Sequence, residues 1–209
     1  MEELKIELKW IVLAGVGIVA GIIFFMSWQD VDPGEEGFIY RPYGKGVTTD
    51  VAYNEGTQFI APWNEMITYN VLVQSRSYES QVMDKNGTDI GVVIAVNYHA
   101  IKGQTAFLHL KHGNGYAESF IDKKAKGAIK DVIGRYTYVE AYSTKREILE
   151  QEIETILNED FDENHIALDF VEIADIDLPQ NIAIEITNKE TQKQRISEKV
   201  QSIPASRNA

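Results

Sequence analysis

The sequence predicts an α+β protein: a β-rich domain with packed helices, carried behind an apolar N-terminal helix. Three observations predict it. An uncharged hydrophobic run lies near the N terminus, short apolar runs split by turn residues fill the first half, and the apolar spacing turns helical in the second half. With 209 residues, 44% of them hydrophobic, the chain can bury one good core or two small ones.

The first element is WIVLAGVGIVAGIIFFMSW, Trp10 to Trp28, which carries no charge. As a helix rising about 1.5 Å per residue it would span roughly 28 Å, the thickness of a bilayer core. Tryptophan at each end suits the two headgroup interfaces, and Lys5 and Lys9 can reach one of them. A cleavable signal peptide fits less well, because MEELKIELK is not a basic leader and FFMSW lacks the small residues of a cleavage site. We therefore expect a retained transmembrane anchor over 10–28, marked by Trp10, Gly17, Gly21 and Trp28. Gly17 and Gly21 make a G-x-x-x-G, which either lets two helices approach closely or reflects ordinary span composition. The positive-inside rule places the N terminus on the cytoplasmic side, since Lys5 and Lys9 precede the span and Arg41 and Lys45 follow it.

A short acidic turn, QDVDPGEEG, should stop the helix at Pro33-Gly34 and lead into the domain. GFIYRPYG, GVTTDVAY and TQFIAPW read as short strands divided by Gly44, Gly46 and Asn54-Glu55-Gly56. Two further strand-like runs flank Lys85-Asn86-Gly87, a hairpin signal because Asn and Gly tolerate positive φ. The turn also accounts for Asn86-Gly87-Thr88, which otherwise fits a glycosylation acceptor.

In YAESFIDKKAKGAIKDVIG the apolar residues Phe120, Ile121, Ala125, Ala128, Ile129, Val132 and Ile133 recur at helical spacing, so one face should be buried. Thr144-x-x-Glu147 reads as a capping box opening a second helix, with Leu149, Ile153, Ile156, Leu157 and Phe161 as its stripe. HIALDFVEIADIDLP returns to alternation through Ile166, Leu168 and Phe170 and resumes from Ile173 with a phase slip, the mark of a bulge. Past Pro179, Ile182, Ile186, Lys189, Lys193, Ile196, Val200 and Ile203 follow heptad spacing up to Pro204. Either the helix packs on a partner through a seam of Ile182, Ile186, Ile196 and Val200, or it is solvated with a short apolar patch. Three heptads make a marginal coiled coil.

The formal net charge of −12 argues against nucleic acid as a partner. Glu147 to Asp177 holds acids and no Lys or Arg, whereas Lys111 to Arg135 is rich in lysine. These stretches are either solvated faces or complementary patches that orient neighbouring subunits. There is no cysteine, so disulfides and thiolate metal sites are out. His109 and His112 could share a helical face, with His99 near them in sequence, but no carboxylate or thiolate set joins them, and no metal is expected. Ser143, Thr144 and Lys145 lie at a helix start, where capping explains them. Phosphate-cradling loops are absent, and Asp175 and Asp177 belong to a polar strand face. We expect no catalytic residues and no cofactor.

Four stretches, in order, resemble the stomatin/prohibitin/flotillin family (SPFH, or band 7), with prohibitins nearest. VDPGEEGFIYRPYGKGV is similar to that family's start of domain after its membrane span, and EGTQFIAPW to its G-T-H-F-x-x-P-W stretch, with Gln58 where histidine is usual. RYTYVEAYSTKREILEQEI resembles its T-x-R-E helix start, and IALDFVEIADIDLPQNIAIEITNKETQKQ its last strand and the head of its long helix. YNVLVQSR departs, with Asn70 and Leu72 where prohibitins often carry a charged pair, and relatives continue for many more heptads.

The resemblance implies a tail at 1–9, the anchor at 10–28, an SPFH domain at 32–178, a helix beginning a coiled coil at 179–203, and a tail at 204–209. It implies a non-enzymatic membrane scaffold in which homo- or hetero-oligomers of SPFH subunits form a ring or cage on membrane lipids, organise microdomains and modulate an FtsH-type membrane AAA protease. The place it implies is a bacterial or mitochondrial inner membrane, with the domain opposite the N terminus. The alternative is a membrane-tethered binding module that does not form large assemblies.

Overall fold

The structure is a computed structural model describing residues 2–177, 191–192 and 194–196, apart from the side chains of residues 2–8, Ile11, Ser143 and Thr144. Helix α1 runs Glu2–Met26, followed by strands β1 Trp28–Val31, β2 Glu35–Arg41, β3 Gly46–Val47, β4 Gly56–Phe59, β5 Glu65–Asn70, β6 Gln74–Met83 and β7 Asp89–Ala100. Then come α2 Thr105–His112, α3 Asp122–Ile133, α4 Arg146–Asp162 and β8 Ile166–Asp177, with a π-helical turn leading into each of α3 and α4. The strands make three small sheets, ordered β1-β4, β3-β2-β5 and β6-β7-β8. The chain forms two compact units.

The first unit takes the chain up to Ser75 with Asn97–Lys124 and Ile156–Phe170. Its core is built on Phe38, Tyr98, Leu108, Ile121, Leu157 and Phe161, all fully buried. β2 pairs antiparallel with β5 from Glu35↔Asn70 to Tyr40↔Glu65. Only Gly46–Val47 of the expected second strand pairs with β2, and Tyr53 adds an isolated bridge to Gly37. Glu36 is a buried carboxylate on β2 whose oxygens accept from the Gly103 N–H at 2.7 Å and the Thr105 hydroxyl at 2.6 Å. It thereby satisfies donors at the start of α2, the helix that carries His109 and His112.

The second unit comprises Arg76–Val96, Ala125–Thr155 and the chain from Val171. Its core joins Ile90, Val92, Ile94 and Val96 of β7 to Ala125, Ile129, Val132 and Ile133 of α3 and Leu149 and Ile153 of α4, as the helical spacing requires. The Asn86-Gly87 hairpin forms, with Gly87 at φ 81°. Asp84 ties it down: Oδ1 accepts from the N–H groups of Asn86 and Thr88, both at 2.8 Å, and Oδ2 from Tyr138 at 3.0 Å. Burial alone would raise this carboxyl, but the Thr88, Tyr138 and Asn86 donors outweigh it and hold it below its ordinary value.

Two sequence expectations change, and one falls outside what is described. α4 begins at Arg146; the Thr144 side chain of the expected capping box lies outside the described ones, and a reciprocal capping pair forms upstream between Thr137 and Glu140. The Thr137 N–H donates to the Glu140 carboxylate at 3.1 Å, and the Glu140 N–H donates to Thr137 Oγ1 at 3.4 Å. In β8, Phe170 is exposed while Val171, Ile173 and Ile176 are buried, so the phase slips before Val171 and again before Ile176. The acid-rich face of α4 is partly used within the unit. Glu154 accepts from the Val171 N–H and Glu150 from the Ile173 N–H, both at 2.9 Å, and Arg146 donates to the Ile173 and Ala174 carbonyls. β8 lies at a sheet edge, and these side chains satisfy backbone groups there.

Candidate membrane interface

Beyond Lys9, α1 is apolar on every side, and its described side chains lie open. Leu13, Val16, Ile18, Val19, Phe24 and Phe25 are each more than half exposed. A helix with no polar face has no stable arrangement in water unless something apolar covers it. Among the described residues, no helix is long and apolar enough to cross a membrane.

The end of this helix corrects the expected anchor of 10–28. α1 stops at Met26, and Trp28 is the first residue of β1. The Ser27 hydroxyl donates to the Ile23 carbonyl at 2.8 Å, and its N–H donates to the carbonyls of Ile23 and Phe24. The Ser27 carbonyl then accepts from the Ile60 N–H at 3.0 Å. What reads as an acidic linker is strand β1, paired antiparallel with β4 from Trp28↔Phe59 to Val31↔Gly56. The Phe59 ring lies 5.6 Å from Phe24 and 5.5 Å from Trp28, centroid to centroid. No free residue separates helix from sheet, and the junction is aromatic.

The turn after β4 continues this surface. Asn64 N–H closes it onto the Ala61 carbonyl at 2.9 Å, leaving Trp63 exposed, and β5 starts at Glu65, opposite Tyr40. The same turn therefore abuts the end of α1 on one side and the β2–β3 turn, with Arg41 and Tyr43, on the other. This aromatic collar is the arrangement found where a protein enters a headgroup layer.

Of the predicted site residues, Trp10, Gly17 and Gly21 lie on α1 and Trp28 on β1. Open space surrounds Gly17 and Gly21. Ile182, Ile186 and Val200 fall outside the described residues, and Ile196 is helical and exposed. Phe59 and Trp63 are not among the predicted site residues, although both stand in EGTQFIAPW; the sequence shows only two aromatics four apart, and their exposure comes from the structure.

The histidines are taken up by packing. His109 Nδ1 lies 2.9 Å from the Tyr69 hydroxyl and 3.1 Å from Asn114 Oδ1, with its ring 5.2 Å from Phe38. Burial, with Tyr116 adding to it, pushes the Tyr69 phenol up to about 12, so it remains a donor. His112 Nε2 pairs with Asn164 Oδ1 and His99 Nδ1 with Asp169, each at 2.8 Å. Burial and the Lys111 charge lower His165, whose Nδ1 lies 2.6 Å from Gln104 Oε1. No group of three metal-capable side chains converges among the described residues. Lys145 is ion-paired to Glu140 at 2.8 Å.

The sequence profile of the SPFH domain / Band 7 family matches residues 29–206. The chain belongs to the SPFH/Band 7 family. It is similar to prohibitin-2 of Dictyostelium discoideum, at 24% identity over 183 residues, which cover 87% of this chain. The match takes in 60% of that relative's length. The SPFH match begins at Gln29, one residue into β1, so the strand welded to α1 is already part of the SPFH domain.

Proposed function

We propose that this SPFH protein is a non-enzymatic membrane scaffold. α1 is its single anchor, with Trp10 and Trp28 at the two interfaces, and its domains sit side by side on the bilayer as a ring or cage. In this reading the N terminus lies inside, at a bacterial or mitochondrial inner membrane, and the domain on the opposite side. Neighbouring subunits, of this chain or of a second SPFH chain, would close on one another through close approach at Gly17 and Gly21 and through a helical seam of Ile182, Ile186, Ile196 and Val200. The assembly would organise the lipid beneath it and restrain an FtsH-type membrane AAA protease.

One observation carries the reading: an apolar helix with no covered face is hydrogen-bonded straight into the first sheet of the domain. Embedding α1 in hydrocarbon removes its exposed apolar surface from water, at about 25 cal/mol per Å². Because no flexible residue intervenes, diffusion in two dimensions brings domain edges together at high effective concentration.

The test is extraction of full-length protein from its native membrane with carbonate, then with mild detergent. We expect carbonate to leave the chain in the pellet and detergent to yield large assemblies that shrink when residues 180–209 are deleted. Release by carbonate would remove the anchor. A carbonate-resistant monomer would leave only a tethered binding module.

A further inference from the structure

Between Trp10 and Ser75 the sequence has two cationic side chains, Arg41 and Lys45, and both lie on the β2–β3 turn. Both are exposed and neither forms an ion pair among the described residues, although Glu65 is near in register, opposite Tyr40. Beside this turn is an open recess of ≈ 300 Å³ lined by Arg41, Tyr43, Gly44, Ala61, Trp63 and Asn64. Tyr43 and Trp63 are among the most exposed aromatics of the chain, at 89% and 60%.

The recess is tied to the end of α1. The segment from Ile60, bonded to the Ser27 carbonyl, to Glu65, opposite Tyr40, is five residue steps long. Five extended residues cover at most about 17 Å, and the closed Ala61–Asn64 turn covers less. A guanidinium, an amide and two aromatic rims therefore stand near the level at which an embedded α1 would leave the hydrocarbon. Guanidinium binds phosphate oxygens in a fork, and Trp and Tyr seat at the glycerol and headgroup level.

We infer that this recess is a phospholipid headgroup site: Arg41 and the Asn64 amide hold the phosphodiester, Lys45 adds selectivity for anionic headgroups, and Tyr43 and Trp63 flank the glycerol. The inference rests on the membrane reading above and deepens it. In a chain of net charge −12, a small cationic recess also gives anionic lipid somewhere to sit that the rest of the surface would repel.

The experiment uses the full chain with Trp10→Phe and Trp28→Phe, which leaves Trp63 as the one indole of three. The protein is reconstituted in phosphatidylcholine vesicles with or without phosphatidylglycerol, either lipid being brominated close to the headgroup. Carbonate resistance of each variant is checked first. We expect the brominated phosphatidylglycerol to quench Trp63 in preference to the brominated phosphatidylcholine, and Arg41→Gln to weaken that preference about fivefold, the effect of one basic residue at an anionic surface. Lys102→Gln, a cation in a separate recess beside Glu36 and Glu55, should leave it unchanged. A carbonate-resistant Arg41→Gln protein with undiminished preference overturns the headgroup site and leaves the anchor standing. Release by carbonate removes the anchor itself. Competition by soluble glycerophosphoglycerol as strong as by the lipid would make the recess a site for free phosphodiesters and overturn its assignment to the membrane.

Discussion

α1 and α3 are both rich in aliphatic side chains, yet their surroundings are opposite. In α3, Ala125, Ala128, Ile129, Val132 and Ile133 are buried against the second unit's own sheet, while Lys123, Lys126 and Lys130 keep the other face in water. In α1 no polar face exists after Lys9, and residues of the same kind stay open. The difference teaches where each helix gets its stability. α3 is held by the protein's own core and should respond to core substitutions. α1 offers its apolar surface outward and should respond to the solvent around it.

The largest effect expected from this contrast lies in the core. Ile129→Ala removes a fully buried side chain and should cost about 2–5 kcal/mol, read by urea unfolding of the detergent-solubilised full chain. Ile22→Ala on α1 should change the same measurement by less than about 0.5 kcal/mol. An equal loss from both would end the contrast.

Val19→Arg reverses the test, because it leaves the fold alone and places a charge in the middle of α1. The cost of inserting it in a bilayer is about 2.5–3.5 kcal/mol. We expect a larger carbonate-soluble fraction with unchanged unfolding in detergent.

Two smaller effects sharpen the account of the second unit. Asp84→Ala leaves the Asn86, Thr88 and Tyr138 donors without their acceptor, for about 1–3 kcal/mol at neutral pH. The folded carboxyl titrates below its unfolded value, near 3.9, so its contribution is present above that pH and is lost as pH falls through the lower folded value. The gap between wild type and variant should therefore close in acid. Thr137→Ala removes the capping hydroxyl for about 1 kcal/mol, read by thermal unfolding beside the wild type.

What was legible in the sequence was what repeats locally. The buried stripe of α3 follows from apolar residues three and four apart, and the Asn86-Gly87 hairpin from residues that tolerate positive φ. β1 was not legible, because Gln29 and Asp30 look like a turn and its partner β4 lies beyond two intervening strands in the chain. α2 is short and carries no capping side chain of its own at Gln104; its first turn leans on Glu36, far upstream. The Thr137-x-x-Glu140 pair is also spelled in the sequence, but only the backbone geometry shows that its two ends bond reciprocally.

By itself the sequence determined that α1 carries no charge beyond Lys9, that α3 has a buried face and a lysine face, and that no thiol chemistry is available, since each of these is set by side chains and their local spacing. Only the tertiary structure decided that α1 runs straight into a sheet, that Glu150 and Glu154 serve the β8 backbone, and that Arg41 and Trp63 line one recess. Those depend on pairings between distant stretches, where the free energy comes from a partner that the local sequence does not specify.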